Sequence, residues 1–362
     1  MQLKPLSEQT IVITGASSGI GLATARAACA AGANVVLAAR TREALTSAVD
    51  QAKQAGIMSG GNAIFVVADV TKREDLEAVA QAAVERFGGF DTWVNNAGVG
   101  IWGRIDEVPE ADKRQLFETN FWGMVYGSEI AVEHLRADGG AVINVGSVTS
   151  DYALPLQGIY SASKHAVKGF TEALRMELEA VGAPVSVTLI KPASIGTPMP
   201  QHVRNYTTGE AKFPPPVYAP EEVASAILHA AAHPSRDLFV GGAAVTMSAL
   251  NRRLPRLMDM VGEKFVYPMQ IGSQAPTPTD NLFSGQSEGE VTGDHQGSWI
   301  RPSGYTRART NPGVTLAAAG AAAAAGVGLF LWSRSRGSAP AAPVLTAEPE
   351  QSTAAEAEAH PS

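Results

Sequence analysis

The sequence predicts a doubly wound α/β fold built on a parallel sheet. Short apolar segments alternate with longer segments of helical periodicity over residues 7–245, and this order of strand, helix and strand is typical of crossover units. The apolar segments are nearly free of polar residues, as expected for strands that are covered by helices on both faces. The fold class is therefore α/β, with helices on both sides of a Rossmann-like sheet in a single domain.

Each element can be placed by its own pattern. The apolar segments predict strands at 11–13, 35–37, 64–67, 93–94, 142–145, 185–190 and 238–240. The helical periodicity predicts helices at 20–31, 42–55, 73–87 and 160–181. A weaker amphipathic segment, 247–269, is expected to pack on the edge of the sheet and to complete a domain of residues 1–270.

The remainder of the chain changes character. Residues 271–313 are rich in Gly, Pro, Ser and Thr without apolar periodicity, which predicts a flexible linker. Residues 314–332 contain no charged side chain and are nearly long enough for a transmembrane helix, with an Ala-rich surface or soluble helix as the alternative. Residues 333–362 form a polar Ala, Pro and Glu segment that predicts a disordered tail.

Composition excludes several functions. The 362 residues carry 28 Lys and Arg against 35 Asp and Glu, a net charge of −7, so no basic field favours nucleic acid. The single cysteine, Cys29, cannot form an intramolecular disulfide or a cysteine-cluster zinc site. Residues 1–10 lack the basic and apolar regions of a secretory signal. These features predict a cytoplasmic catalytic domain, attached to a membrane if residues 314–332 span one.

A glycine-rich turn follows the first predicted strand and opens the first helix. The residues that this turn offers to a cofactor are Gly15, Ser17, Ser18, Gly19, Ile20 and Gly21. Glycines allow a tight turn and close backbone approach, so a pyrophosphate can bind to the unpaired amides at the helix N-terminus. The turn alone is weak evidence, since it could be a tight corner, but its position between a strand and a helix favours dinucleotide binding.

The end of the second strand indicates which dinucleotide binds. An acidic residue there would bind the ribose hydroxyls of NAD, whereas this strand ends in Arg40, with Arg42 two positions later. A guanidinium makes charge-assisted contacts with phosphate, so we expect a preference for NADP(H) over NAD(H). The alternative is that Arg40 is a solvated residue of the loop.

Three further motifs complete a family pattern. Residues 95–98 read N-N-A-G after the fourth strand, Ser147 ends the fifth, and Tyr160 and Lys164 form Y-x-x-x-K thirteen positions after that serine. With the T-G-x-x-x-G-x-G turn, residues 7–245 resemble the short-chain dehydrogenase/reductase family. The resemblance implies hydride transfer between a nicotinamide and a carbonyl or alcohol carbon, with Asn120, Ser147, Tyr160 and Lys164 at the catalytic positions.

The resemblance also assigns residues around the cofactor. It implies that Asp69 and Val70 flank the adenine, that Asn96, Tyr160 and Lys164 contact the cofactor, and that Thr197 contacts the nicotinamide amide. Asp69 could alternatively cap the helix that follows it. Family members commonly have glycine where this chain has Ala193, so the backbone of that residue must avoid conformations that only glycine tolerates easily.

The Tyr160 and Lys164 pair has the chemistry of a proton donor. Residues four apart are neighbours on one helical face. Ionising a tyrosine of pKa about 10 at pH 7 costs about 4 kcal/mol, and an ammonium at about 4 Å contributes roughly the same at an effective dielectric of 20. In reduction Tyr160 would protonate the nascent alkoxide while Ser147 hydrogen-bonds the carbonyl oxygen. On spacing alone, the pair could simply decorate a helix.

The sequence predicts no metal site. His229 and His233 are four apart, like half a zinc site, but neither a glutamate nor a third ligand accompanies them. The partners expected are a small-molecule carbonyl or alcohol substrate and, from the resemblance, further copies of the chain in a homo-oligomer. The resemblance implies that residues 198–220 form a lid over the substrate site. The composition of this lid and the candidate membrane helix favour a lipophilic substrate.

We therefore expect an NADP(H)-dependent oxidoreductase that acts on a carbonyl or alcohol carbon. The alternative from another functional class is a non-catalytic nucleotide-binding scaffold attached to a membrane. A scaffold requires none of Asn120, Ser147, Tyr160 and Lys164, and their joint presence favours the enzyme. Cofactor binding without turnover would favour the scaffold.

Overall fold

The computed structural model describes residues 1–286, 289–294 and 299–310. The strands are β1 (Thr10–Thr14), β2 (Asn34–Ala39), β3 (Asn62–Val67), β4 (Thr92–Asn95), β5 (Ile101–Trp102), β6 (Gly140–Val145), β7 (Val185–Pro192), β8 (Ser194–Ile195), β9 (Arg204–Asn205), β10 (Val217–Tyr218), β11 (Asp237–Val240) and β12 (Trp299–Ile300). The helices are α1 (Gly19–Ala30), α2 (Arg42–Gly56), α3 (Arg73–Phe87), α4 (Glu110–Phe117), α5 (Gly123–Leu135), α6 (Gly158–Ala180), α7 (Met199–His202), α8 (Pro220–Ala232), α9 (Gly242–Arg253), α10 (Pro255–Val261), α11 (Tyr267–Met269) and α12 (Gly304–Thr310).

The central sheet has seven parallel strands in the order β11-β7-β6-β4-β1-β2-β3. The order reverses between β1 and β4, which leaves a crevice at the carboxyl ends of these two strands. This confirms the predicted parallel sheet with flanking helices, and each predicted strand lies within an observed one.

Both faces of the sheet are buried. Ile11 and Ile13 of β1 pack in a core with α1, α2 and α8, while Val12 between them packs on the opposite side with α3, α5 and α6. Successive side chains of a strand point to opposite faces, so an uninterrupted apolar strand supplies two cores at once. This is why the strands read as continuous apolar segments.

Two small sheets stand beside the central one. β5 pairs with β9, while β12, β10 and β8 form a sheet of three strands. Both sheets join segments that lie far apart in the sequence, and both include a strand from the lid segment 198–220. They therefore hold the lid next to the carboxyl ends of the central strands.

The segment predicted to be amphipathic folds as α9, α10, a π-helical turn at Gly262–Val266 and α11. Tyr152 donates a hydrogen bond to the Met258 carbonyl and both side chains are buried, so one side of this region packs on the domain. The other side leaves apolar residues exposed, among them Leu250, Leu254, Leu257, Met260, Phe265 and Met269.

The segment expected to be a flexible linker is folded where the structure describes it. The Cα positions place Met1–Pro312 in one compact unit, Leu282 is fully buried, and Trp299–Ile300 and Gly304–Thr310 form regular elements. The sequence did not predict this ordered structure, because the segment is rich in turn residues and its order comes from contacts with distant residues and not from local periodicity. The predicted membrane helix 314–332 and the predicted disordered tail 333–362 lie outside the described residues. Among the helices that the structure does describe, none is long and apolar enough to cross a membrane.

Candidate active site

A cavity of about 200 Å³ lies at the carboxyl ends of β1, β2, β3 and β4. Ten of the residues predicted to bind the cofactor line it: Gly15, Ser17, Ser18, Gly19, Ile20, Arg40, Asp69, Val70, Asn96 and Thr197. Gly21 lies beneath the turn, where a Cβ atom would come within 2.2 Å of the Gly15 carbonyl oxygen. The fold therefore brings together residues that are as far apart in the sequence as Gly15 and Thr197.

The glycine turn is held from the side by Asn96. The Asn96 amide nitrogen Nδ2 donates to the carbonyls of Thr14 at 3.0 Å and Gly15 at 3.1 Å. In return the Thr14 hydroxyl accepts from the backbone amides of Asn96 and Ala97. Gly15 has a φ of +63°, a left-handed conformation that favours glycine. Asn96 thus both lines the cavity and fixes the turn that forms its base.

Arg40 and Asp69 lie at the end of the cavity formed by β2 and β3. Burial lowers the pKa of the Arg40 guanidinium and the charge of Asp69 opposes this shift. Arg42 is not among the residues that line the cavity; its guanidinium lies over the Phe65 ring, 5.5 Å from the centroid. Of the two arginines, Arg40 is therefore the one that can reach a ligand here.

Asp69 orders the turn that precedes α3, but it does not cap that helix. Its Oδ1 accepts hydrogen bonds from the Thr71 amide and hydroxyl, at 3.0 and 2.9 Å. The N-cap position of α3 is occupied by Lys72, which makes no side-chain capping bond. The alternative interpretation of Asp69 as a helix cap is therefore wrong, because the N-cap lies three residues later. Asp69 lines the cavity instead.

Three of the residues predicted to be catalytic border a second cavity, of about 120 Å³. Ser147, Tyr160 and Lys164 line it, and residues such as Ile20, Asn96 and Thr197 line both cavities. Ser147 caps a 3-10 turn at Val148–Ser150, where its hydroxyl accepts from the Thr149 amide at 3.1 Å. The end of β6 and the start of α6 are thus joined at one site.

Burial shifts the pKa values of Tyr160 and Lys164 in the directions that favour the neutral form of each side chain. It raises the pKa of Tyr160 to about 12, an effect that a hydrogen bond with Ser147 opposes. Burial also lowers the pKa of Lys164 to about 8. The Lys164 ammonium donates to the Val145 carbonyl at 2.8 Å and lies 5.7 Å from the centroid of the Tyr160 ring. Burial is thus the largest influence on both pKa values, and it opposes the ionisation of Tyr160 that Lys164 is expected to favour.

Asn120 is the fourth residue predicted to be catalytic. It lies in a π-helical turn, Glu118–Trp122, between α4 and α5, and it is almost fully buried. Its side chain exchanges two hydrogen bonds with the backbone of Val99, at 2.8 and 3.0 Å, and donates to the Ser163 hydroxyl at 3.3 Å. Asn120 lines neither cavity, so its side chain ties the loop after β4 to α6. The π turn was not predicted, although an asparagine in mid-helix was a signal for it.

The lining of the second cavity includes several apolar residues besides Ser147 and Tyr160. They are Leu154, Ile195, Met199, Phe213 and Pro214. Ala193, where the family commonly has glycine, donates its amide to the Val240 carbonyl at 3.0 Å. Within the described residues the one positive φ outside glycine belongs to Leu156, so Ala193 is accommodated without strain.

The lining residues of the first cavity that the sequence analysis missed include three from one distant segment: Asn281, Gly285 and Gln286. They belong to the segment predicted to be a linker, and only the cluster of turn residues hinted that it could fold over a site. Among the described residues, the buried Oδ1 of Asn281 has no hydrogen-bond partner, and neither has the buried Thr119 hydroxyl that lines the same cavity. Unpaired buried polar atoms require a partner, which fits a polar ligand such as a dinucleotide.

The described residues contain no group of three His, Cys, Asp or Glu side chains that could hold a metal ion. His229 and His233 stack on each other with ring centroids 4.6 Å apart. The Nδ1 atom of His233 lies 3.2 Å from the His229 carbonyl oxygen. This pair is a contact at the end of α8, outside both cavities.

A doubly wound sheet with a glycine turn, next to a serine, tyrosine and lysine in one cavity, defines a nucleotide-dependent oxidoreductase. The family model for short chain dehydrogenase matches residues 9–207. The uncharacterized oxidoreductase YxnA of Bacillus subtilis is 45% identical over 323 residues, covering 88% of this chain and 89% of its own. The chain belongs to the short-chain dehydrogenase/reductase family.

Two further relatives show the range of the similarity. The 11-beta-hydroxysteroid dehydrogenase A of Arachis hypogaea is 38% identical over 188 residues, which is 52% of each chain. A short-chain dehydrogenase/reductase from Burkholderia phymatum, solved in complex with NAD, superposes with a TM-score of 0.61 at 28% identity. The superposition covers 69% of this chain and 94% of that one. The fold and the oxidoreductase class are therefore confirmed.

Proposed function

We propose that the protein is an NADP(H)-dependent carbonyl reductase or alcohol dehydrogenase acting on a lipophilic substrate. The observation that carries this proposal is the convergence of Ser147, Tyr160 and Lys164 on an apolar cavity that adjoins the glycine turn. The nicotinamide, when bound, supplies the hydride for reduction or accepts it in oxidation. All other steps belong to the side chains of this chain.

In the direction of reduction, the substrate carbonyl oxygen accepts hydrogen bonds from the Ser147 hydroxyl and the Tyr160 phenol. As the carbon is reduced, the phenol proton passes to the nascent alkoxide. The raised pKa of Tyr160, about 12, keeps this proton in place at neutral pH. In oxidation the Tyr160 phenol would have to be ionised before it accepts the proton of the substrate hydroxyl, and burial opposes this ionisation.

Lys164 places an ammonium group near the Tyr160 phenol, on the side of the site where the nicotinamide ribose would bind. Its pKa of about 8 leaves it mostly protonated at pH 7 but able to lose a proton at little cost. The ammonium bond to the Val145 carbonyl fixes Lys164 against the end of β6. We propose that it binds the nicotinamide ribose hydroxyls and that Asn120 positions the loop opposite it.

The cofactor preference rests on Arg40. Its guanidinium lies at the cavity end where the adenosine half binds in doubly wound folds, and a cation there suits a 2′-phosphate. The Burkholderia phymatum relative was solved with NAD, so the proposed preference is carried by Arg40 and not by that similarity.

We further propose that the enzyme forms a homo-oligomer. Large apolar side chains are exposed on helices of one face of the domain: Val84 on α3 (40%), Trp122 before α5 (43%) and Met176 on α6 (63%). Exposed apolar side chains on adjoining elements are typical of subunit contacts. Light scattering on the purified protein would measure the number of subunits.

The direct test of the proposed function is oxidation of NADPH by purified protein with a panel of aliphatic, aromatic and polycyclic ketones and aldehydes. Binding of NADPH is measured separately by its fluorescence. We expect turnover with apolar carbonyl compounds and little with small polar ones. Tight binding of NADPH without turnover of any compound would contradict the proposal and favour a non-catalytic nucleotide-binding scaffold.

A further inference from the structure

A segment near the end of the described chain lines the first cavity, of about 200 Å³. We call it the strap and define it as Asp280–Gln286 together with Gly289–Asp294. It lies at least 240 positions after Arg40 in the sequence, and its order comes from contacts with the rest of the domain. These contacts occur at both ends of the strap and at its centre.

The first end of the strap is fixed to the lid and to an apolar cluster. Asp280 forms an ion pair with Arg204, 2.7 Å from its Nε, and the Asn281 amide donates to the His202 carbonyl at 2.8 Å. Leu282 is fully buried in a cluster that includes Val99, Ile101, Val108 and Leu116, with the ring of Tyr160 packed at its edge. This end is therefore anchored next to the catalytic tyrosine.

The centre of the strap lies against the end of β2. The Arg40 Nη2 atom donates to the carbonyls of Asn281, at 2.6 Å, and Ser284, at 3.2 Å. Gly285 lies so close to Thr41 that a Cβ atom on the glycine would be 3.5 Å from the Thr41 Cβ. Arg40, proposed above to face the cofactor phosphate, thus also holds the strap.

The second end of the strap reaches the glycine turn and the loop after β8. The Glu290 carbonyl accepts the Gly19 amide at 2.8 Å, and the Gly293 amide donates to the Gly196 carbonyl at 3.2 Å. Gln201 donates to the Asp294 carboxylate at 2.6 Å. The strap therefore bridges from the lid over β2 to the first turn of α1 and back to the lid.

The strap forms part of the wall of the first cavity. The cavity of about 200 Å³ is lined by Asn281, Gly285 and Gln286 on one side and by the glycine turn, Arg40 and Asp69 on the other. Asn281 lines this cavity, and its buried Oδ1 atom accepts no hydrogen bond within the part of the chain that the structure describes. Because the match to the Bacillus subtilis relative covers 88% of the chain, it necessarily includes the strap.

We propose that the strap is the outer wall of the cofactor site, and that it must move away before the dinucleotide can enter or leave. The proposal rests on the proposed function, since it assumes that the cavity holds the nicotinamide cofactor. It assigns Asn281, Gly285 and Gln286 to the cofactor site. It also gives Arg40 a second role, in which the guanidinium couples the adenosine end of the site to strap closure.

A disulfide between the strap and β2 would test this proposal. The Cβ separation of 3.5 Å between positions 41 and 285 is within the range that a disulfide spans. Thr41→Cys together with Gly285→Cys would lock the strap under mild oxidation. Thr41→Cys alone and the reduced double variant serve as controls, because a Cβ at position 285 would come within 2.2 Å of the hydroxyl of an unmodified Thr41. Cys29 is buried and its pKa is raised to about 12 by that burial, so it should not interfere.

The measurement is the rate at which bound NADPH is released into excess NADP+, followed by fluorescence in stopped flow. If the double variant is oxidised with NADPH bound, we expect that NADPH is no longer released. If it is oxidised without NADPH, we expect that added NADPH no longer binds. Reduction of the disulfide should restore both rates. Equal release rates in the oxidised and reduced forms, or a thiol titration showing that the disulfide does not form, would overturn the proposal.

A second variant opens the strap instead of locking it. Leu282→Ala removes the buried anchor, and we expect release of NADPH to accelerate at least about tenfold. Leu257→Ala is the matched control, because that leucine is 44% exposed on α10, away from the strap. An unchanged release rate in Leu282→Ala would contradict the proposal. Absence of NADPH binding by the unmodified protein would instead refute the proposed function, so the two failures are distinguishable.

Discussion

At the scale of single residues, the site depends on how burial acts on three ionisable side chains. Tyr160 is kept protonated, Lys164 is made easier to deprotonate, and the Arg40 guanidinium is partly desolvated but balanced by Asp69. Each shift has burial as its largest cause. Each therefore predicts what removing the group will do.

Tyr160→Phe deletes the proton donor and retains the ring. We expect turnover to fall by at least about a hundredfold, the lower end of what a positioned general acid contributes, while NADPH still binds. Turnover and NADPH affinity are measured on the same preparation. A phenylalanine variant with near-normal turnover would show that another group donates the proton.

Arg40→Asp replaces the cation at the adenosine end of the cavity with an anion. Hydrogen bonds to charged groups contribute about 1.5 to 3 kcal/mol, so NADPH affinity should fall roughly ten- to a hundredfold and the preference should weaken or invert. Titrating both cofactors into both proteins measures this. Arg42→Asp is the control, because Arg42 is not among the residues that line the cavity. Equal use of NADPH and NADH by the unmodified protein would refute the assignment.

Lys164→Met should change how stability depends on pH. Burial lowers the pKa of Lys164 from 10.5 to about 8, so between these values the unfolded chain binds the proton that the folded chain has lost. Stability of the unmodified protein should therefore rise across this window relative to the variant, by up to roughly 3 kcal/mol. Urea denaturation at pH 8 and pH 10 measures the difference, with the exposed Lys264→Met as control. Identical pH dependence in Lys164→Met and the unmodified protein would contradict the shift.

At the scale of elements, a buried polar network ties two strands to two helices below the site. Asn95 of β4 donates to Asn144 of β6 at 2.8 Å and to Ser128 of α5 at 3.0 Å. Asn144 donates to Thr171 of α6 at 3.0 Å. The first asparagine of the N-N-A-G motif thus serves the scaffold, while the second, Asn96, faces the cofactor cavity.

Asn144→Ala should destabilise the protein by about 2 to 4 kcal/mol, because the Asn95 amide and the Thr171 hydroxyl would each lose a partner in a buried site. Thr171→Val removes the bond from Asn144 and the bond that Thr171 donates to the Val167 carbonyl, and it should cost less because the Asn95 amide keeps its partners. Denaturant unfolding of the two single variants and the double variant forms a cycle. Additive losses would show that the network is not coupled.

The elements that the sequence predicted are those with local signals. β1, α3 and the glycine turn were placed from apolar runs, periodicity and turn residues that their own segments carry. The π turn around Asn120 and the strap could not be placed in this way. The strap depends on two buried apolar residues, Leu282 and Val291, and on hydrogen bonds of its backbone with residues such as Gly19 and Arg40, so its sequence resembles that of a linker.

At the scale of the whole molecule, the predicted membrane helix remains a prediction. Its 19 uncharged residues are close to the roughly 20 that a hydrocarbon core of about 30 Å requires. Six residues favour insertion by roughly 2 to 4 kcal/mol in total: Val314, Leu316, Val327, Leu329, Phe330 and Leu331. The segment is therefore a marginal span, which self-association through its small residues could support.

We expect the full-length protein to sediment with membranes and to resist extraction by high salt. A chain ending at Asn311 should stay in the supernatant and remain active, because the compact unit that carries both cavities and the strap extends to Pro312. Fractionation with parallel activity assays measures both forms. Recovery of the full-length protein in the salt-washed soluble fraction would refute the anchor.

The hydrogen bond between Gly19 and Glu290 also bears on how the protein is made. Chains emerge from the ribosome N-terminus first, and their early regions can fold before the later ones exist. The glycine turn and Arg40 are therefore in the nascent chain long before the strap has been translated. During that interval the dinucleotide can reach its site from bulk solvent without displacing anything. If the strap encloses the site as proposed, newly synthesised enzyme acquires its first cofactor by a faster route than any later exchange.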